Sequence, residues 1–249
     1  MTYCVGLRLH QGLVFMSDTR TNAGVDNIST FRKMHSWTIP GERCVFLMTA
    51  GNLATTQAVV SLLEERGKAA GERSPAILEQ ASMFEVARLV GATLKDVIEE
   101  HSSGGQEADS SFHATIIVGG QIGAGEQRLF LVYPEGNFIE ASDDTPFFQI
   151  GETKYGKPIL VRAYDPGMSF EDAIKLLLVS FDSTIKANLS VDLPIDYQIY
   201  EEGSLRAGAS GRVTKDDRYY MTISEVWGDA LRAAFDSLPD FSFPDASET

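Results

Sequence analysis

The first hydroxyl of the chain is also its most suggestive one. Thr2 follows Met1 directly, and removal of Met1 would leave a free α-amine on the same residue as the hydroxyl. An α-amine has an ordinary pKa of about 7.7–8.0, so it can serve as general base at neutral pH. A threonine activated by its own amine is a nucleophile for acyl transfer, with no metal or organic cofactor required. Such chemistry needs a charge partner for the developing alkoxide and a donor for the tetrahedral oxyanion. Asp18 and Lys33 are candidates for the first role, with Arg20 close by, and Gly51 for the second. The Met1-Thr2 bond suits methionine aminopeptidase, because threonine is small.

The elements that must position these groups follow from periodicity. Tyr3 to Leu9 alternates, with Tyr3, Val5, Leu7 and Leu9 on one face and Thr2, Cys4, Gly6 and Arg8 on the other, which predicts a strand. Leu13 to Ser17 reads as a buried strand after the turn His10-Gln11-Gly12. A hairpin of this kind pairs residues whose numbers sum to roughly 20–22, which sets Thr2 opposite Asp18-Thr19-Arg20. Phe31 to Ile39 and Cys44 to Ala50 predict a second hairpin around Pro40-Gly41-Glu42. Within it, alternation puts Lys33 on a mostly apolar face, where a lysine needs a partner or must snorkel. Thr49-Ala50-Gly51-Asn52 joins a strand to a helix start, where backbone donors and the helix dipole favour negative charge. An ordinary strand-to-helix turn has the same appearance.

The rest of the chain predicts helices from Asn52 to about Arg66, ended by Gly67, and from Met83 to Glu100. Ser102 to Ser110 reads as a loop. Strands follow at Phe112 to Gly119, Leu129 to Tyr133, Phe138 to Ala141 and Phe147 to Ile150. Helices at Tyr155 to Ala163 and Phe170 to Ala187 precede strands at Pro194 to Tyr200 and Tyr219 to Ile223, then a last helix at Ser224 to Ser237. Strands and helices thus come in runs, which indicates an α+β fold. Without a repeat or linker, residues 1–249 read as a single domain.

With 35 acidic against 21 basic residues the formal net charge is −14. This argues against nucleic acid as a main partner, since phosphate binding needs clustered Lys and Arg. Cys4 and Cys44 lie in apolar strands and read as free thiols, and the four histidines lack metal-ligand spacing. No apolar run reaches membrane-spanning length and the start has no signal-peptide pattern, so a cytoplasmic protein without a membrane partner is expected.

Thr2, Ser17-Asp18-Thr19-Arg20, Lys33 and Thr49-Ala50-Gly51 together resemble the catalytic set of proteasome β subunits and the bacterial HslV peptidase. Within that family, Ser17 to Asp26 and Ile28 to Met34 are most similar to the bacterial ancestral β subunits (Anbu). The resemblance implies a four-layer αββα sandwich, threonine-type peptidase chemistry and homo-oligomeric particles, either ring-like or helical. It also marks departures. The family usually has a serine after the glycine of a later Ile-Gly segment, whereas Ile150-Gly151 is followed by Glu152. It carries an Asp and a Ser in the loop after the long helix, where the nearest candidates are Asn188 and Ser190. Residues from about 204 to 249 form a C-terminal extension. The chain has no nucleotide-binding loop, so energy dependence would require another chain. Three functions remain in competition: a threonine peptidase, an assembly subunit with weak or partner-dependent activity, and a non-peptide amidase.

Overall fold

A computed structural model describes residues 2–22, 28–68, 76–102 and 112–243. The strands are β1 (Tyr3–Leu9), β2 (Gly12–Asp18), β3 (Arg20–Asn22), β4 (Ile28–Thr30), β5 (Met34–Ile39) and β6 (Arg43–Gly51). Helices α1 (Leu53–Lys68) and α2 (Met83–Ser102) follow, then β7 (Ala114–Ile122), β8 (Arg128–Val132), β9 (Phe138–Glu140) and β10 (Phe147–Gly151). Helices α3 (Lys157–Ala163) and α4 (Phe170–Ala187), strands β11 (Ile195–Glu201) and β12 (Ser210–Val213), and helix α5 (Arg218–Asp236) complete the order.

Two five-stranded antiparallel sheets stack face to face, one ordered β10-β1-β2-β11-β12 and the other β5-β6-β7-β8-β9. Alternation within each strand feeds two cores at once. Tyr3, Val5 and Leu7 of β1 pack outward with Leu177 and Phe181 of α4. Cys4 of the same strand packs inward with Phe15, Phe46, Met48 and Ile150. On the second sheet Val45 and Leu47 meet Val59 and Leu63 of α1 and Val90 and Leu94 of α2. The layers are therefore helix, sheet, sheet, helix, which is the αββα sandwich that the family resemblance implies.

The first hairpin has the expected register: Cys4 faces Ser17 and Leu7 faces Val14. β1 is also flanked by β10, with Tyr3 opposite Gly151. The first strand of the chain is thus internal to its sheet.

Several expectations need correction. The strand expected over Phe31 to Ile39 is broken. Phe31 N–H donates to Thr19 O (2.9 Å) and Lys33 O accepts from Thr49 N–H (3.0 Å), so residues 31–33 cross from the small β3-β4 pair to β5. Lys33 is therefore in a connection, and the alternation argument does not govern its direction. Tyr219 to Ile223, rich in β-formers, is not a strand but the first part of α5. Asp217 caps that helix by accepting from Tyr220 N–H (2.9 Å), which outweighs the local propensity. β12, unpredicted from the sequence, pairs with β11, placing Ile195 opposite Val213. Helix α1 runs through Gly67 to Lys68. Of the expected loop, Ser102 ends α2 and residues 103–110 lie outside the described residues.

Candidate active site

The site forms where three chain segments converge beside the start of β1. Strand pairing carries Asp18, at the end of β2, back to Tyr3, whose amide N–H donates to Asp18 Oδ1 (2.9 Å). Lys33 Nζ donates to the same oxygen (2.8 Å) and to Arg20 O (2.6 Å). Asp18 is fully buried and the Lys33 side chain is 6% exposed. Burial pushes the Asp18 carboxyl up to about 6, against the opposing pull of the Lys33 charge and the Tyr3 N–H. The pair is therefore charged at neutral pH and lost in mild acid.

Gly51 stands at the end of β6 with φ +119°, and a Cβ there would come within 2.4 Å of His113 O. Asn52 N–H donates to His113 O, on the β7 side, and Thr49 N–H to Lys33 O, on the β5 side. Amides alternate sides along a strand, so Gly51 N–H points to the β5 side, one step beyond Lys33. There β5 has already ended. Asn52 Oδ1 accepts from Thr55 N–H (3.1 Å) and opens α1, which matches the predicted helix start. Thr2, Lys33, Thr49 and Gly51 line one cleft of about 640 Å³, whose outer wall is α1 with Gln57 and Glu64.

Arg20 contributes its carbonyl to Lys33, whereas its guanidinium turns to Asp192 (2.8 Å). Asn188 forms the C-terminal cap of α4. Its Nδ2 donates to Glu152 Oε2 (2.8 Å), while its Oδ1 accepts from Ser190 N–H (2.9 Å). Glu152 N–H in turn donates to Thr2 O (2.6 Å). Asn188 and Ser190 thus reach Thr2 through Glu152. Cys4 is an unsuitable nucleophile: burial and the Asp18 charge push its thiol well up.

Sequence reasoning missed two supports. Tyr3 supplies the amide that holds Asp18. Thr19 ties the β2 end to the segment before β11, with its N–H (3.0 Å) and hydroxyl (2.7 Å) both donating to Pro194 O. The first was derivable from the hairpin register; the second joins segments 175 residues apart and leaves no local signal. Among the described residues no group of three or more His, Cys, Asp or Glu could hold a metal ion, and no helix is long and apolar enough to cross a membrane.

Residues 2–192 match the family model "Proteasome subunit". A solved structure of Anbu (ancestral beta-subunit) from Yersinia bercovieri is 47% identical, with a TM-score of 0.89, over 97% of this chain and 99% of that one. The chain belongs to the Anbu type of the proteasome-subunit family. An Anbu (Gly-1) mutant from Hyphomicrobium sp. strain MC1 is likewise 47% identical (TM-score 0.90), covering 98% of this chain and 100% of that one. A helical assembly of the Anbu complex from Pseudomonas aeruginosa is 43% identical (TM-score 0.88), covering 98% and 99%. No curated protein matches. The family match ends at Asp192, so β11, β12 and α5 of this proteasome-type subunit lie beyond it, whereas the Anbu structures match nearly the whole chain.

Proposed function

We propose that this chain is an N-terminal threonine hydrolase of peptide or related amide bonds, with Thr2 as nucleophile after removal of Met1. The observation that carries the reading is the buried Lys33, held by Asp18 Oδ1 and Arg20 O at the wall of the cleft that Thr2 and Gly51 share. The Thr2 α-amine takes the hydroxyl proton, directly or through water, and the Lys33 charge lowers the cost of the alkoxide that develops. Thr2 Oγ1 attacks the amide carbonyl carbon, and Gly51 N–H donates to the resulting oxyanion. The protonated amine then delivers its proton to the leaving nitrogen as the C–N bond breaks, which leaves an ester on Thr2. Water, deprotonated by the same amine, attacks that ester. The acid is released and the hydroxyl regains its proton. Every step is carried by protein groups and water.

The helical assembly of the Pseudomonas aeruginosa relative supports self-association of this chain as well. We assign residues from about 204 onward to an extension that packs on the single domain and supplies contacts between copies. The apolar side chains that α5 leaves exposed, among them Met221, Val226 and Phe235, support this assignment.

Intact mass spectrometry with and without an inhibitor directed at N-terminal threonine tests the nucleophile. The expected result is loss of Met1, one adduct per chain, and no adduct in Thr2→Ala. Retention of Met1 leaves no free amine at Thr2 and ends this reading.

A further inference from the structure

Glu152 is a buried carboxyl group without a cationic partner among the described residues. The residue is 8% exposed, and among the described residues no Lys, Arg or His lies within ion-pair distance of it. A buried carboxylate without a cation is costly. Its known partner is the Asn188 amide, and the orientation of that amide is fixed. Ser190 N–H occupies Asn188 Oδ1, so Nδ2 must be the group turned to Glu152 Oε2. Glu152 Oε2 is therefore held as an acceptor, facing a donor on the helix cap.

Its place in the sheet brings this carboxyl group to the start of the chain. The β1-β10 register, Cys4 opposite Ile150 and Tyr3 opposite Gly151, continues to Thr2 opposite Glu152. The bond from Glu152 N–H to Thr2 O (2.6 Å) shows that the pairing persists there. Gly151 tightens the junction: its φ is +83°, and a Cβ on it would lie 1.9 Å from Thr2 O. Paired residues of adjacent strands bring their Cα atoms within about 5.5 Å.

We infer that Glu152 is the counter-ion of the Thr2 α-ammonium, with Asn188 as the residue that positions it. This rests on the reading that Met1 is removed. Charges on the neighbouring elements are already matched. Asp18 of β2 is bound by Lys33, Lys186 of α4 lies 3.0 Å from Asp182, and Asp192 is bound by Arg20 and lies 3.7 Å from Lys215. Lys154, two residues beyond Glu152, is exposed. Excision of Met1 thus supplies the one cation that the Glu152 carboxylate lacks. The consequence is a nucleophile restrained at neutral pH: the carboxylate favours the protonated amine, which cannot act as base, and activation moves toward alkaline pH.

The test titrates the amine itself. Full-length protein is prepared with Thr2 as its first residue by cleaving an N-terminal fusion. Acylation of the α-amine by acetic anhydride is then followed against pH by mass of the N-terminal peptide. The expected midpoint lies above that of a free Thr-Tyr-Cys peptide. Glu152→Gln is expected to lower it by about one pH unit or more, giving roughly tenfold more neutral amine at pH 7, and Glu152→Asp to retain most of the elevation. The same shift is expected in a Thr2→Ala background, because it concerns the amine and not the hydroxyl. A folded Glu152→Gln protein with an unmoved midpoint overturns the inference. If that variant fails to fold, a wild-type midpoint at or below the peptide's overturns it alone. An elevated midpoint without inhibitor adduct defeats the hydrolase reading and leaves this one standing; an adduct with an unshifted amine does the reverse.

Discussion

The two ends of the β1-β2 hairpin carry one ion pair each, in opposite surroundings. At the open end Asp18 and Lys33 are buried, with 0% and 6% of their side chains exposed. Near the turn Arg8 pairs with Asp143 at a similar separation, 2.9 Å against 2.8 Å, yet Asp143 is 97% exposed. Equal distances therefore describe unequal interactions. The outer pair is screened and its partners are solvated when apart. The inner pair is largely withdrawn from water, so each member depends on the other and on the amide of Tyr3 and the carbonyl of Arg20. The difference teaches where in this hairpin a charge belongs to the surface and where it belongs to the interior.

Breaking the inner pair should have the largest effect. Lys33→Ala is expected to abolish inhibitor labelling of Thr2 and, at pH 8, to cost about 3–5 kcal/mol in denaturant unfolding. The stability loss should shrink at pH 5, where Asp18 can take up a proton; an equal loss at both values would contradict the buried-charge account. Gly151→Ala comes next, at about 1–3 kcal/mol, since its φ of +83° and its approach to Thr2 O leave no room for a methyl group. Its melting temperature checks this.

A gentler perturbation is pH alone. Burial raises the Asp18 carboxyl from 3.8 to about 6, so its protonation favours the fold below about pH 4 and that contribution is lost as pH rises through 6. Labelling runs the other way and should fall roughly tenfold per unit below that midpoint, because the neutral acid no longer holds Lys33 by charge. Labelling rates that stay flat from pH 7 to pH 5 would refute this role for Asp18. The smallest effect is expected at the outer pair: Arg8→Ala should leave both melting temperature and labelling unchanged within error.

Much of this site was legible before any coordinates, because it depends on a local hairpin. Alternation over Tyr3 to Leu9 and the turn at Gln11 set Thr2 opposite Asp18-Thr19-Arg20 through register alone, within one residue of the pairing observed. Helix α4, Phe170–Ala187, and the Asn52 cap were equally readable. Illegible were features set by distant partners. Lys33 points where the crossing between two sheets aims it, and strand periodicity says nothing of such a crossing. The Glu152–Asn188 contact joins residues 36 apart on a strand end and a helix cap. At Tyr219 to Ile223 the β-forming side chains concealed a helix, since the deciding signal was the single capping residue Asp217.

The position of β1 between β2 and β10 has a consequence for how the protein is made. Its first neighbour, β2, follows directly in the chain, but its second, β10, is synthesised well over a hundred residues later, and closing so long a loop is slow. Until β10 docks, one edge of β1 stays open. Once Gly151 and Glu152 close over it, Thr2 is buried. On the proposed removal of Met1, this order of synthesis leaves an interval for trimming before β10 completes the sheet beside Thr2.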